Sequence, residues 1–154
     1  MVAQENYRAL SALDPDSWRV HRALGEIAAG PKQWQDAIDE YRKAIEKQPR
    51  DSDLYEALGE ACQRLSRFDD ATRAYEVELK MSPHNAIALF NLGRIQVLNG
   101  DPNRGVVLLR QAVEAHVKAA PADYYLVSAW LRLGIRGRRQ LRLRNAFRNN
   151  RLNR

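Results

Sequence analysis

The sequence contains a single cysteine, Cys62, among 154 residues. No internal disulfide can form, and the chain reads as a protein of a reducing compartment. It has no run of 18 or more apolar residues, so no transmembrane helix is expected. Met1-Val2-Ala3-Gln4-Glu5-Asn6 lacks the basic and then apolar layout of a secretion signal. Together these absences lead to an expected cytoplasmic location. Histidine is scarce and isolated. His21, His84 and His116 have no second histidine at i+3 or i+4 and no cysteine pair beside them, so no metal site is expected. The glycines of Gly100-Asp101-Pro102-Asn103-Arg104-Gly105 lack the Gly-Lys-Ser/Thr of a phosphate loop. No catalytic triad and no acid/base pair stands in a persuasive context. The expectation is a protein without catalysis, cofactor or metal.

Acidic residues are missing from one end. Asp123 is the last of them, and nine arginines without a lysine follow it. The formal charge of +6 therefore divides into −3 over residues 1–123 and +9 over the last 31. What remains is ordinary for a soluble fold: 45% apolar and 29% charged residues, in a length that can bury a core.

The chain repeats itself. Leu24-Gly25, Leu58-Gly59 and Leu92-Gly93 stand 34 residues apart, and Pro15, Pro49 and Pro83 keep the same step. Trp34 and Phe68, Ala37 and Ala71, and Tyr41 and Tyr75 share phases between them. A fixed period of this length marks a stack of small units. Each unit reads as two helices, the first predicted over Trp18–Ala29 and the second over Trp34–Lys47. Trp34, Ala37, Ile38, Tyr41, Ala44 and Ile45 fall on one helical face. A glycine inside a helix costs about 1 kcal/mol relative to alanine. Three at one phase imply close approach, expected here between two backbones. Each proline is expected to end a second helix, and Gly30-Pro31 and Asn99-Gly100-Asp101-Pro102 to form the turns within pairs.

These landmarks resemble the tetratricopeptide (TPR) repeat, which places a Leu-Gly on the first helix and an aromatic, Ala, aromatic, Ala and Pro on the second. The resemblance implies an all-α, right-handed superhelical solenoid of antiparallel helix pairs. Residues 18–51 and 52–85 fit well, although Glu78 replaces a small residue where Ala44 keeps it. Residues 86–121 fit more loosely. Pro102 stands at the aromatic phase, Gly105 at the first alanine, and Pro121 follows Pro83 by 38 residues, which predicts a second helix longer by a turn. Residues 1–15 read as a second helix without its first, the mark of a longer array or an N-terminal cap. Trp130-x-x-Leu133-Gly134 suggests a further or capping helix over 122–135. The expected repeat domain is thus 1–135, followed by an Arg-rich tail, 136–154. Its unmatched ends would permit end-to-end self-association.

The resemblance further implies a scaffold that holds a protein or peptide in a concave groove lined by first helices. At the groove positions stand Arg19, Arg22, Glu26 and Ala29, then Asp53, Glu56, Glu60, Gln63 and Arg64, then Ile87, Phe90, Arg94, Val97 and Leu98. This sequence of mixed, acidic and apolar character suits a peptide with a basic stretch and an apolar anchor, for which Phe90 is the candidate contact. Phe90 could equally pack under the next first helix, and the charges could serve only to solvate the surface. The family's clamp for a C-terminal carboxylate is not expected, because its positions hold Glu26, Ala57 and Ile87 beside Arg22 and Asn91. His21 and Cys62 sit at core phases and read as a packed imidazole and an inert thiol. Asp69-Asp70 reads as acid placed at a helix start.

The tail has open readings. Arg136, Arg138, Arg139, Arg142 and Arg144 could contact nucleic-acid phosphates, the alternative function for this chain. With Leu141, Leu143 and Phe147 the stretch could meet anionic lipid. It could also have no role, or shield the last repeat's open face.

Overall fold

A computed structural model of the chain describes residues 12, 14–99, 101–115 and 119–133. Within them seven helices and no strand are found. They are α1 (Trp18–Ala29), α2 (Trp34–Lys47), α3 (Ser52–Arg64), α4 (Phe68–Met81), α5 (Ala86–Asn99), α6 (Pro102–Glu114) and α7 (Ala119–Arg132). Each helix packs on its sequence neighbours, in pairs α1/α2, α3/α4 and α5/α6 stacked in order, with α7 against the third pair. The architecture is the all-α solenoid of helix pairs. The predicted helix over residues 1–15 falls almost wholly outside the described residues. The tail 136–154 and His116 lie outside them entirely.

The helices start where a side chain can accept from their unpaired N–H groups. Ser17 caps α1 through Val20 N at 3.4 Å, Asp51 caps α3 through Asp53 N at 3.1 Å, and Asn85 accepts from Ile87 N at 2.9 Å and Ala88 N at 3.1 Å at the start of α5. These three residues keep the 34-residue step, a capping signal that supports α1, α3 and α5 alike. The turns inside pairs repeat as well. Lys32 and Ser66 have φ of 66° and 58°. The next N–H groups reach back, Gln33 to Ala28 O at 3.0 Å and Arg67 to Cys62 O at 2.9 Å. This is the Schellman closure of a helix, with its left-handed residue one place past the cap. The turn expected at Gly30-Pro31 forms, but its left-handed residue is Lys32 and not Gly30. That residue is right-handed, with φ of −55°. The strained positions are held by a lysine and a serine.

The glycines have a different reason from the one expected. A Cβ on Gly25 would stand 2.5 Å from the Tyr41 ring, and one on Gly59 would stand 2.7 Å from the Tyr75 ring. In these pairs a tyrosine of the second helix lies on a bare patch of the first. Only the third pair brings backbones together. There Leu109 replaces the tyrosine, and a Cβ on Gly105 would meet Gly93 O at 3.0 Å. The smaller side chain lets the helices close up, so the alanine of the earlier pairs must itself become glycine. Ile38, Tyr41, Cys62, Tyr75, Leu92 and Ile95 join these contacts into one core across the pairs.

The third unit is not elongated. Helix α6 ends at Glu114, with Ala115 as its cap. Pro121 lies in the first turn of α7, where its missing N–H is no loss. The buried Ala122, Leu126 and Ala129 follow Ala88, Leu92 and Ile95 by 34 residues each. The repeat phase therefore continues unbroken into α7. Trp130-x-x-Leu133-Gly134 is out of phase, and Trp130 is half exposed. The glycine phase in α7 holds Val127, also half exposed, which no described helix covers.

Two stability outcomes follow. Gly59→Ala should destabilise the fold by about 1–3 kcal/mol through overpacking against Tyr75. Ser66→Gly should stabilise it by about 0.5–1 kcal/mol, left-handed strain relieved less the added chain entropy. Urea denaturation monitored by circular dichroism measures both.

Candidate peptide-binding groove

The first helices α1, α3 and α5 each contribute one strip of side chains at the same repeat positions, and the structure sorts them into three patches. On α1, Arg19 is exposed and lies over the Trp18 ring at 4.6 Å. Arg22 donates to Glu26 at 3.0 Å, and its guanidinium is also 4.0 Å from both Asp51 and Asp53. Asp53 thus joins the first patch across the α1/α3 junction. Its opposite charges are mutually satisfied within the protein and are partly exposed, so each pair contributes little to stability.

The second patch belongs to α3. Glu60 is exposed and pairs with Arg64 at 2.9 Å. Glu56 is half-buried and accepts from Asn85 Nδ2 at 3.3 Å. Behind it lies Glu78 of α4, fully buried, with neither carboxyl oxygen in a well-formed hydrogen bond. Burial pushes the Glu78 carboxyl up to about 8, and the nearby Glu56 and Asp53 carboxyls push in the same direction, Glu56 also through a loose hydrogen bond that favours the protonated acid. Glu78 is accordingly a neutral acid at pH 7, kept so by desolvation and like charge. The Tyr75 hydroxyl and Gln63 Nε2 are further buried polar atoms without a partner, and burial also raises the Tyr75 phenol.

The third patch joins α5 to α7. Gln63 accepts from Arg94 at 2.6 Å, and Arg94 lies 5.9 Å from the Tyr125 ring centroid. Phe90 meets Tyr125 edge to face at 5.9 Å. This is the packed alternative for Phe90, half-buried under the next first helix. Val97 is buried against α6 and is no groove residue, while Leu98 is exposed. Ile87, half exposed, is the apolar side chain presented at the start of α5.

Sequence reasoning missed Asp51, Asn85 and Tyr125, which complete the three patches. Asp51 and Asn85 were legible as a helix-cap phase. Tyr125 was not, since Trp130-x-x-Leu133-Gly134 did not fix the register of its helix. Away from these patches, His21 is packed as expected but between two carboxylates, Glu40 at 2.7 Å and Asp16 at 3.0 Å. Lys47 and His21 hold the Asp16 carboxyl below its usual range. Cys62 is buried, which pushes its thiol up. Asp69 and Asp70 occupy the first turn of α4. Arg136, Arg138, Arg139, Arg142 and Arg144 lie outside the described residues.

Known proteins share the repeat and the fold. Tetratricopeptide repeat family models match residues 1–53 and 40–73. Protein O-mannosyl-transferase tmtc2 of Xenopus laevis is 34% identical over 83 residues, which are 52% of this chain and 10% of that protein. This chain thus spans about a tenth of that curated relative. The crystal structure of MamA superposes with a TM-score of 0.66 at 25% identity, over 72% of this chain and 65% of that one. The TPR2B domain of yeast Sti1, in its complex with pHsp70, superposes at 0.68 and 18% identity, over 75% and 97%. The last is a likeness of fold.

The raised Glu78 carboxyl sets a pH dependence. In the unfolded chain it titrates near its ordinary 4.5, and in the folded chain near 8. Between these values the folded state holds a proton that the unfolded state has lost. Its contribution to stability is full below about 4.5 and is lost as pH rises to 8. Glu78→Gln should remove this decline, so that its melting temperature gains on the parent chain from pH 5 to 8. Parallel thermal melts across that range measure it.

Proposed function

The chain is built of tetratricopeptide repeats, and on that premise we propose that it is a protein-binding scaffold that seats a peptide segment along α1, α3 and α5. The observation that carries this reading is the unequal treatment of equivalent positions. The second helices direct their aromatic and small residues into the stack. The first helices leave Asp53, Glu60 and Ile87 exposed at recurring positions on one side. A face with acids in its middle and an exposed isoleucine beside them supports binding of an extended or helical peptide by charge and apolar contact together.

The proposed role is binding alone. The activity named for the Xenopus laevis relative is that of a protein of which this chain spans a tenth. The Sti1 domain is named with pHsp70, but a carboxylate clamp does not suit this groove. At the clamp positions Glu26 is exposed, Ala57 offers no donor and Ile87 is apolar. A single buried cysteine favours a cytoplasmic setting for the interaction. No helix among the described residues is long and apolar enough to cross a membrane.

The test is capture by immobilised chain from an extract of its source cells. Asp53→Lys and Glu60→Lys should each weaken retention of the partner by about tenfold. Glu46→Lys, on the exposed face of α2, should leave it unchanged. Equal retention by all three variants, with melting temperatures preserved, would overturn the proposal.

A further inference from the structure

Glu78 has no evident use in the fold. The equivalent residues of the neighbouring pairs, Ala44 and Ala112, are fully buried and fill the place with a methyl group. A buried carboxyl without a well-formed hydrogen bond burdens stability, and alanine would remove the burden. Where a repeat departs from its own packing rule at such a disadvantage, function is the physical explanation to examine first.

The groups around Glu78 indicate which function. From α3 it faces the carboxyls of Asp53 and Glu56. From α5 comes the neutral amide of Asn85, which holds Glu56. Arg94, further along α5, is engaged by Gln63. On α1, Arg22 stands 4.0 Å from Asp53, but its close bond is to Glu26 at 3.0 Å. Among the described residues no cation pairs with Glu56 or Glu78. Two acids, one buried and one half-buried, are thus held together without a counter-charge, at the groove position of α3.

We propose that Glu56 and Asp53, backed by the buried carboxyl of Glu78, form a subsite for a cationic side chain, a lysine or arginine of the peptide bound in the groove. This inference rests on the groove reading and names the chemistry of the partner at one point in it. The arriving cation meets Glu56 and Asp53 at the surface. Its field then favours the ionised form of Glu78, which releases its proton to solvent. The buried acid is a reserve of negative charge that appears when the ligand is present. It also supplies selectivity, because a neutral side chain placed here would leave the like charges unrelieved.

The experiment follows the side-chain carboxyl carbons of the full chain by NMR from pH 5 to 10, alone and with saturating N-acetyl-tetralysine amide. Free Glu78 should titrate near 8, and the peptide should lower that midpoint by about a unit or more. In parallel, the affinity of the chain for this peptide should rise about tenfold between pH 6.5 and 8.5, since each unit of midpoint shift is a tenfold linkage. Glu78→Gln should bind with less than about a twofold change over the same range. Glu78→Ala, which copies the neighbouring pairs, should do the same and guards against a folding defect in the first variant. A peptide with every lysine acetylated should not bind. The inference is overturned if tetralysine fails to bind at millimolar concentration, or binds without moving the Glu78 titration. It is equally overturned if free Glu78 titrates near 4.5, or if Glu78→Gln keeps the pH dependence. If Asp53→Lys and Glu60→Lys still lose the captured partner in any of those cases, the groove reading stands with a partner of other chemistry.

Discussion

The contact between a first-helix glycine and the second-helix side chain opposite it sets the geometry of each pair. A tyrosine ring lying on a glycine fixes how close two helices come and how they are rotated. Tyr75 on Gly59 and Tyr41 on Gly25 do this in the same way. The glycine cannot gain a side chain while the ring lies on it, because interiors packed at crystal-like density have no room for an added methyl. The third pair keeps its glycine, Gly93, and changes the second helix at two places. Leu109 removes bulk, and Gly105 replaces alanine so that the backbones can occupy the space released. Val127 shows its limit. It stands where a glycine would be, on a helix whose outer face no described helix covers.

Once the pair is fixed, the rest of the solenoid follows from local chemistry repeated at the same step. Ser17, Asp51 and Asn85 begin α1, α3 and α5 by accepting from their open N–H groups. Lys32 and Ser66 end two of them in left-handed turns. Ile38, Cys62, Leu92 and Ile95 then join one pair to the next. Stability in such a stack is a sum over units and their junctions, so a residue that weakens one junction can be tolerated. Glu78 is carried on those terms.

The helices themselves were legible in the sequence. The bounds predicted for the first two agree with α1 and α2 to the residue, because a 3.6-residue apolar pattern framed by prolines leaves little freedom. The left-handed turns were not legible. Gly30-Pro31 marked a turn that does form, but the strain is carried by Lys32 and Ser66, whose side chains give no hint of it. The reason for the helical glycines was also hidden, since sequence shows that space is short but not whether a ring or a backbone fills it. Pro121 misled because proline suits both a position beyond a helix and the first turn of the next one. In the groove, residue types were legible and pairings were not. Arg22 and Glu60 form the i,i+4 pairs usual on a helix face, with Glu26 and Arg64, while Arg94 is engaged from the neighbouring first helix by Gln63. Phe90 read either as an anchor or as packed under the next first helix, and it is packed on Tyr125.

Glu78 is where the two levels of reading meet. In sequence it was a mismatch to the repeat, noted without consequence. In structure it is a buried carboxyl whose oxygens lack a well-formed hydrogen bond, pressed against other acids. A scaffold needs surface charge to recognise a partner, but charge fixed at the surface is already screened and partly paired, as at Arg22–Glu26 and Glu60–Arg64. A buried acid differs because it stays neutral until something offers it a counter-charge. Its field then acts through protein rather than water, where a unit charge is worth more. Placing it on a second helix, one layer behind the groove, leaves the first-helix surface free to make contact while the charge beneath responds. The same feature that burdens the stack can therefore make its binding face sensitive to the sign of what it holds.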